Sequence, residues 1–287
     1  MDKILVLGST GNIGWPVVKQ LAAADDVTVV AGIYHAESAE MQQLGVETCH
    51  FDFLDDSTFE PALKGINKVF FVRPPELAKP EKDMKPFLTA VKHHGIDQVV
   101  FVSLIGVEKN PMVPHHKIER MITEMALPHT FIRPSFFMQN LTSTHLQDIQ
   151  QNRDLFVPAG RSKTSFIDTR DIAAVAVAVM QDPKYLGQAL EITGPEAITY
   201  RQAAEIMTKE LGVQITYSKP SLLKFRRTMI QRGIKKEFAN VMVMLYLITQ
   251  LGNAKMVTHT VETVLHRPAT TFAEFVRDNR RLFLNRE

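Results

Sequence analysis

The sequence predicts an α/β fold: a doubly wound parallel sheet carrying a smaller, mostly helical C-terminal region. Three observations lead there. Short β-branched apolar runs alternate with helical patterns over roughly the first 150 residues, the signature of parallel βαβ units. A glycine-rich turn follows the first of these runs and opens a helix. Beyond residue 153 the spacing changes and becomes mostly helical. At 287 residues the chain exceeds one minimal core and suits a large unit with an annex.

Taken in order, the strands are expected at 3–8, 27–32, 46–51, 68–72, 98–103 and 130–133. Helices fill the gaps near 12–24, 36–44, 57–64, 80–95, 115–126 and 136–151, with Gly45, Gly65 and Gly95 as stops just past their ends. A short strand near 165–168, a helix from Asp171 and a strand over 189–193 come next. Gly194-Pro195 marks a turn, and Thr199 can cap a helix whose Ala203, Ile206, Met207 and Leu211 share one face. The implied division is 1–155 for the sheet region, with 164–195 returning to it, and 196–287 for the smaller region on the substrate side.

Composition narrows the function classes. Hydrophobic residues at 45% and charged residues at 22% give an ordinary globular balance. A net charge of +2 is too small for a field that gathers nucleic acid or an anionic membrane. Cys49 is the only cysteine, so neither a disulfide framework nor a thiolate metal site can form within one chain, and a reducing, cytoplasmic setting is expected. The first residues enter an apolar strand directly, without the pattern of a secretory signal. The apolar run 241–248 is far shorter than the roughly 20 residues needed to span a bilayer, and is expected to be a buried helix. The histidines form no metalloprotease pattern and no Gly-x-Ser-x-Gly elbow is present, so metal and nucleophilic hydrolysis chemistries are not expected.

The strongest local signal is Gly8-Ser9-Thr10-Gly11-Asn12-Ile13-Gly14, between a strand and a helix. Glycine tolerates positive φ and lets backbone N–H groups approach a pyrophosphate, while the dipole end of the helix favours its charge. In this position the pattern predicts a Rossmann-type dinucleotide domain, with Gly8, Thr10, Gly11, Asn12, Ile13 and Gly14 around the phosphates of NAD(P). The next strand ends Gly32-Ile33-Tyr34-His35-Ala36-Glu37-Ser38, with neither the usual carboxylate for a ribose 2′-hydroxyl nor an arginine for a 2′-phosphate. Lacking a repulsive carboxylate, Tyr34 and His35 lean the choice to NADP. After the third strand, Asp52 can accept from an adenine amino group and Phe53 can lie against its ring, or Asp52 can be a solvated turn residue.

These blocks resemble the NmrA-like branch of the atypical short-chain dehydrogenase/reductase superfamily. The resemblance continues through Val69-Phe70-Phe71-Val72, Pro74-Pro75 and Ile132-Arg133-Pro134-Ser135-Phe136-Phe137-Met138-Gln139-Asn140. Phe166-Ile167-Asp168, Arg170-Asp171-Ile172-Ala173, Ile192-Thr193-Gly194-Pro195-Glu196 and Thr271-Phe272-Ala273-Glu274-Phe275 extend it almost to the end of the chain. It implies the fold and the cofactor, and leaves two activities open: an NAD(P)H-dependent reductase of quinone oxidoreductase type, or a regulator that senses the dinucleotide without turnover.

Ordinary short-chain reductases place a Tyr and a Lys after a Ser at the end of the fifth strand. Ser103 holds the Ser position, as a cofactor-facing residue or equally as a turn-forming hydroxyl, yet the tyrosines are Tyr34, Tyr185, Tyr200, Tyr217 and Tyr246, so the usual proton donor is missing. The corresponding helix starts Pro114-His115-His116-Lys117-Ile118. His115 is in phase with the inward positions Ile118, Ile122 and Met125, and with an unperturbed pKa near 6.5 it can give a proton to a substrate oxygen. It can equally be a polar residue satisfied at a helix start. Lys117 lies about 100° round that helix, either as a catalytic-site charge or as a solvated one. Arg73, past the fourth strand, is placed to reach a cofactor, and Phe136 to wall a nicotinamide pocket, unless they are plain surface and core. Met229, Met242, Met244 and Met256 can line an adaptable apolar pocket or fill a core. The expected ligand is a small apolar quinone or carbonyl, with a homodimer or a regulatory protein as the further possible partner.

Overall fold

The computed structural model describes residues 1–35 and 39–285. Its main sheet has seven parallel strands: β1 (Asp2–Leu7), β2 (Val27–Ile33), β3 (Glu47–His50), β4 (Lys68–Val72), β5 (Gln98–Val102), β6 (His129–Pro134) and β9 (Ala189–Ile192). Their order across the sheet is β3-β2-β1-β4-β5-β6-β9. The chain therefore winds outward from β1 in both directions, and β1 and β4 meet at the point of reversal. Parallel strands covered on both faces need apolar residues at successive positions rather than in alternation. Gln98-Val99-Val100-Phe101-Val102 is accordingly buried throughout, its one polar side chain satisfied by the Thr130 hydroxyl at 2.9 Å and the Val179 carbonyl at 3.1 Å. On one face an aromatic pile of Phe51, Phe53, Phe59, Phe71, Phe87 and Phe101 forms much of the core.

The chain falls into two compact units. The first comprises Met1–Pro134, Thr169–Ile192 and Glu262–His266; the second comprises Ser135–Asp168, Thr193–Val261 and Arg267–Glu287. The sheet thus ends its first pass at Pro134, earlier than the expected limit of 155, and residues 164–168 lie with the smaller unit.

The second unit is more than helical. It contains a three-stranded sheet of β7 (Phe136–Phe137), β8 (Lys163–Ile167) and β10 (Ala197–Thr199), in the order β10-β8-β7. Phe136 pairs with Phe166 and Phe137 with Ile167. The helix expected over 136–151 is therefore replaced by a short strand, a 3-10 turn at Met138–Leu141 and a π turn at Asp148–Asn152. Gly194 is held against this sheet, and a Cβ there would lie 1.9 Å from the Phe166 carbonyl oxygen. Thr199 caps the helix Tyr200–Leu211 through a capping box with Gln202, and Ala203, Met207 and Leu211 are buried beneath it.

The helix Lys236–Gln250 contains the apolar run 241–248 and corrects the expectation of full burial. Ala239, Met242, Tyr246 and Thr249 face the core, while Val241, Met244, Leu245 and Leu247 are exposed. Met229 is likewise core, whereas Met244 and Met256 are exposed. Among the described residues no helix is long and apolar enough to cross a membrane. The expected helix start at 36 lies outside the described residues, and that helix is seen at Ala39–Leu44.

Candidate functional site

The site in the first unit is built on the turn after β1. Gly8 adopts φ +76°, a conformation that costs a residue with a Cβ roughly 1–2 kcal/mol. Its carbonyl accepts from the Gly11 N–H at 3.0 Å, closing the turn. Ser9 is buried, and its hydroxyl donates to the Gly32 carbonyl at 2.7 Å, tying the turn to β2. A Cβ on Gly14 would lie 2.1 Å from the Gly8 carbonyl oxygen and 2.6 Å from its carbon, so the helix Gly14–Ala22 can approach the turn only because that Cβ is missing. Gly8, Thr10, Gly11 and Asn12 are exposed, whereas Ile13 and Gly14 are buried. Ile13 gives the helix no side-chain cap and its first turn holds no acid; the Trp15 N–H donates to the Gly11 carbonyl at 3.0 Å and Pro16 has no N–H, so the Gly14 N–H is the donor the helix start presents to an anion.

At the next strand end Tyr34 is 59% exposed, its ring edge-on to His35 at 4.5 Å and stacked with His50 at 6.5 Å. Glu37 and its neighbours at 36 and 38 lie outside the described residues. Asp52 accepts from the Leu54 N–H at 2.8 Å, an Asx turn that uses one of its oxygens. The structure corrects the role expected for Phe53. Its ring is 6% exposed and packs among Phe51, Phe71 and Phe87 with centroids 4.8, 6.2 and 5.3 Å away, so it is core and offers no face to a ligand.

β4 and β5 pair Val72 with Val102, which brings Arg73 and Ser103 side by side just past the sheet's C-terminal edge. Arg73 curls onto its own loop: Nη1 donates to the carbonyls of Pro74, Pro75 and Leu77 at 2.7, 3.1 and 3.0 Å. Burial lowers its pKa, and Glu76 acts in the opposite direction. Its Nε and the Ser103 hydroxyl are both buried with no hydrogen-bond partner among the described residues.

His115 stands on the helix Pro114–Glu124, its ring stacked on Phe101 of β5 at 5.9 Å. Burial first and the Arg73 charge second push its pKa down to about 3, which overturns the premise of a group titrating near 6.5. His115 is a neutral imidazole at physiological pH. His116 turns aside, with Nδ1 3.1 Å from the Val107 carbonyl oxygen. Lys117 meets Glu81 at 3.5 Å in a half-exposed pair. Phe136 belongs to the second unit, where its ring lies 6.5 Å from that of Tyr246. Sequence reasoning missed Ser9, Gly32 and the His145–Tyr246 pair described below. Ser9 was readable as a polar residue inside the glycine turn; the pair spans 101 residues and gives no local signal.

A doubly wound parallel sheet with this glycine turn at its first helix defines a Rossmann-type dinucleotide-binding protein. The chain belongs to the NmrA-like family, whose pattern matches residues 1–276. It is 33% identical over 279 residues to the NAD(P)H azoreductase of Xenophilus azovorans, covering 96% of each chain. It is 29% identical to the prestalk A differentiation protein A of Dictyostelium discoideum, covering 96% of this chain and 91% of that one. In fold it is similar to the Citrobacter sp. triphenylmethane reductase solved with NADP(H): TM-score 0.85 and 18% identity, with 98% and 100% of the two chains covered.

Proposed function

We propose that this protein is an NAD(P)H-dependent oxidoreductase that passes hydride to a small apolar quinone or carbonyl compound in the cytoplasm. The observation that carries the reading is the turn Gly8–Gly14, whose exposed residues Gly8, Thr10, Gly11 and Asn12 lead into a helix that has no side-chain cap and no room for a Cβ at Gly14. The residues fit such a cofactor in a second respect. The unpartnered Ser103 hydroxyl and Arg73 Nε lie where open α/β sheets bind ligands, and buried polar atoms left unsatisfied by protein are uncommon. The reductases among the relatives support the same reading.

The dinucleotide supplies the hydride. Gly8, Thr10, Gly11, Asn12, Ile13 and Gly14 line its pyrophosphate, and Tyr34 and His35, offering no carboxylate, favour NADP by up to about tenfold, or 1.4 kcal/mol. Asp52 keeps an oxygen for the adenine end. Ser103 and Arg73 offer polar hydrogens toward the reacting end. His115, being neutral, orients a substrate oxygen by an N–H hydrogen bond, and the proton that completes a quinol or alcohol comes from water. Lys117 is engaged by Glu81 and takes no part.

A second reading rests on the absence of the Tyr of ordinary short-chain reductases: a dinucleotide-sensing regulator that binds and does not turn over. Anaerobic incubation with NADPH or NADH and a panel of quinones and aldehydes separates the two. Sustained cofactor oxidation supports the reductase; tight binding with no oxidation across the panel replaces it with the regulator.

A further inference from the structure

The second unit holds a cavity of its own. It measures about 120 Å³, and Phe136, Phe238, Met242 and Leu245 wall it, with His145 and Tyr246 as its buried polar members. Phe238 and Leu245 are 44% and 42% exposed, so the cavity opens to solvent past apolar side chains. We propose that it binds a one-ring aromatic carbonyl or quinone whose oxygen accepts a hydrogen bond from the Tyr246 hydroxyl.

Size sets the ring count. An apolar void of roughly 150 Å³ takes one benzene ring, so this cavity has room within its walls for a single ring. The hydrogen-bond chemistry sets the polar group. Tyr246 lies 2.7 Å from His145 Nε2, and its ring packs on Phe225 at 5.5 Å. Burial raises the pKa of Tyr246 and of Tyr200, and both stay as hydroxyls. His145 is 2% exposed, and burial outweighs Asp148 to push its pKa down to about 4. Asp148 is itself neutralised by Arg232, two contacts at 2.7 Å each. A neutral imidazole carries one N–H. Nδ1 of His145 is buried with no partner among the described residues, and a bare lone pair there costs less than an unpaired N–H. The tautomer assigned on that ground carries its hydrogen on Nε2 and donates it to the Tyr246 oxygen. With its oxygen accepting from His145, the Tyr246 hydroxyl has its own hydrogen left to give. A ligand oxygen that meets Tyr246 is therefore an acceptor, as a carbonyl or quinone oxygen is; Asn140 and Thr144 also line the cavity. His145 is a positioning residue, acting through Tyr246.

The binding site rests on the cavity and its hydrogen-bonded pair, and does not depend on the reductase reading above. The test is calorimetry on the full-length protein with acetophenone and with α-methylstyrene, a near-isostere that has no oxygen. Acetophenone is expected to bind about 5- to 10-fold more tightly, the worth of one neutral hydrogen bond. Tyr246→Phe should bring the two within about twofold by weakening acetophenone alone. His145→Gln, which keeps an N–H donor, should retain the preference that His145→Leu loses. Leu245→Trp, at a half-exposed position that tolerates a larger side chain, should block both ligands. Equal affinities in the unaltered protein, or undiminished binding in Leu245→Trp, would overturn the site. NADPH oxidation by 1,4-benzoquinone then separates the two ideas. Binding without turnover removes the reductase reading and leaves the site, whereas turnover without acetophenone binding removes the site and leaves the reductase reading.

Discussion

Substituting Gly14 by Ala places a methyl group against the Gly8–Ser9 backbone, and the cost can be worked from the distances. The new Cβ would meet the Gly8 carbonyl oxygen at 2.1 Å and Ser9 Cα at 3.0 Å, so helix and turn must part by about 0.9 Å to reach a 3.0 Å contact. Backbone cannot rotate away as a long side chain does. The displacement acts on two hydrogen bonds of the turn, Gly11 N–H to Gly8 carbonyl at 3.0 Å and Ser9 hydroxyl to Gly32 carbonyl at 2.7 Å. Overpacking of this kind costs about 1–3 kcal/mol, and each weakened bond contributes up to about 1 kcal/mol more. At about 3 kcal/mol in all, the melting temperature should fall by roughly 6–12 °C. NADPH affinity should fall more than tenfold, because the N–H groups that face the phosphates ride on the displaced turn. Gly11→Ala is the control for stability: its Cβ would meet only the Gly8 oxygen, at 3.3 Å, so its melting temperature should stay within a few degrees. Differential scanning fluorimetry and calorimetric titration with NADPH read both quantities. An unchanged melting temperature and an unchanged Kd in Gly14→Ala would refute the close approach and the phosphate loop together.

Three further outcomes are expected. His115 and His145 are held neutral in the fold, with pKa values of about 3 and about 4 against roughly 6.5 unfolded, so the unfolded chain takes protons first as pH falls. Their contribution is present above pH 6.5 and is lost as pH falls toward 4; for His145 alone it approaches about 3 kcal/mol, and urea unfolding of His115→Gln should show a shallower loss over that range than the unaltered protein. Because His115 does not titrate between pH 5 and 8, kcat/KM for a quinone should show no ionisation of this residue there, and His115→Leu should lower the rate by about tenfold through lost orientation, short of the roughly 10²–10⁴-fold expected of a general acid. A His115→Leu enzyme that has lost a bell-shaped limb near pH 6.5 would contradict this. Lys117→Ala should leave turnover within about twofold and stability within about 1 kcal/mol, since it removes only the half-exposed pair with Glu81; a larger loss of rate measured at saturating NADPH would return Lys117 to the mechanism.

What the sequence determined by itself was whatever local pattern decides. The turn from β1 to its helix lies within seven consecutive residues, and both its conformation and its lack of room at Gly14 follow from residue types a reader can see. The alternation of buried runs with amphipathic helices fixed the parallel sheet, because strands buried on both faces and helices buried on one carry different periods. Tertiary structure decided the rest. Phe136-Phe137 looks like the start of a helix until β8, thirty residues on, offers Phe166 and Ile167 as strand partners. Phe53 was readable as a ligand platform only while Phe71 of β4 and Phe87 of the helix Lys85–His93, which join Phe51 around its ring, were out of view. The phase of His115 was visible in the helix pattern, but its charge was not, because desolvation depends on what packs over it and on Arg73 arriving from another strand end. His145 and Tyr246 stand 101 residues apart, and only the folded chain makes them one hydrogen-bonded pair. Propensity and period act over a few residues, whereas burial and charge are set by neighbours that the chain supplies from a distance.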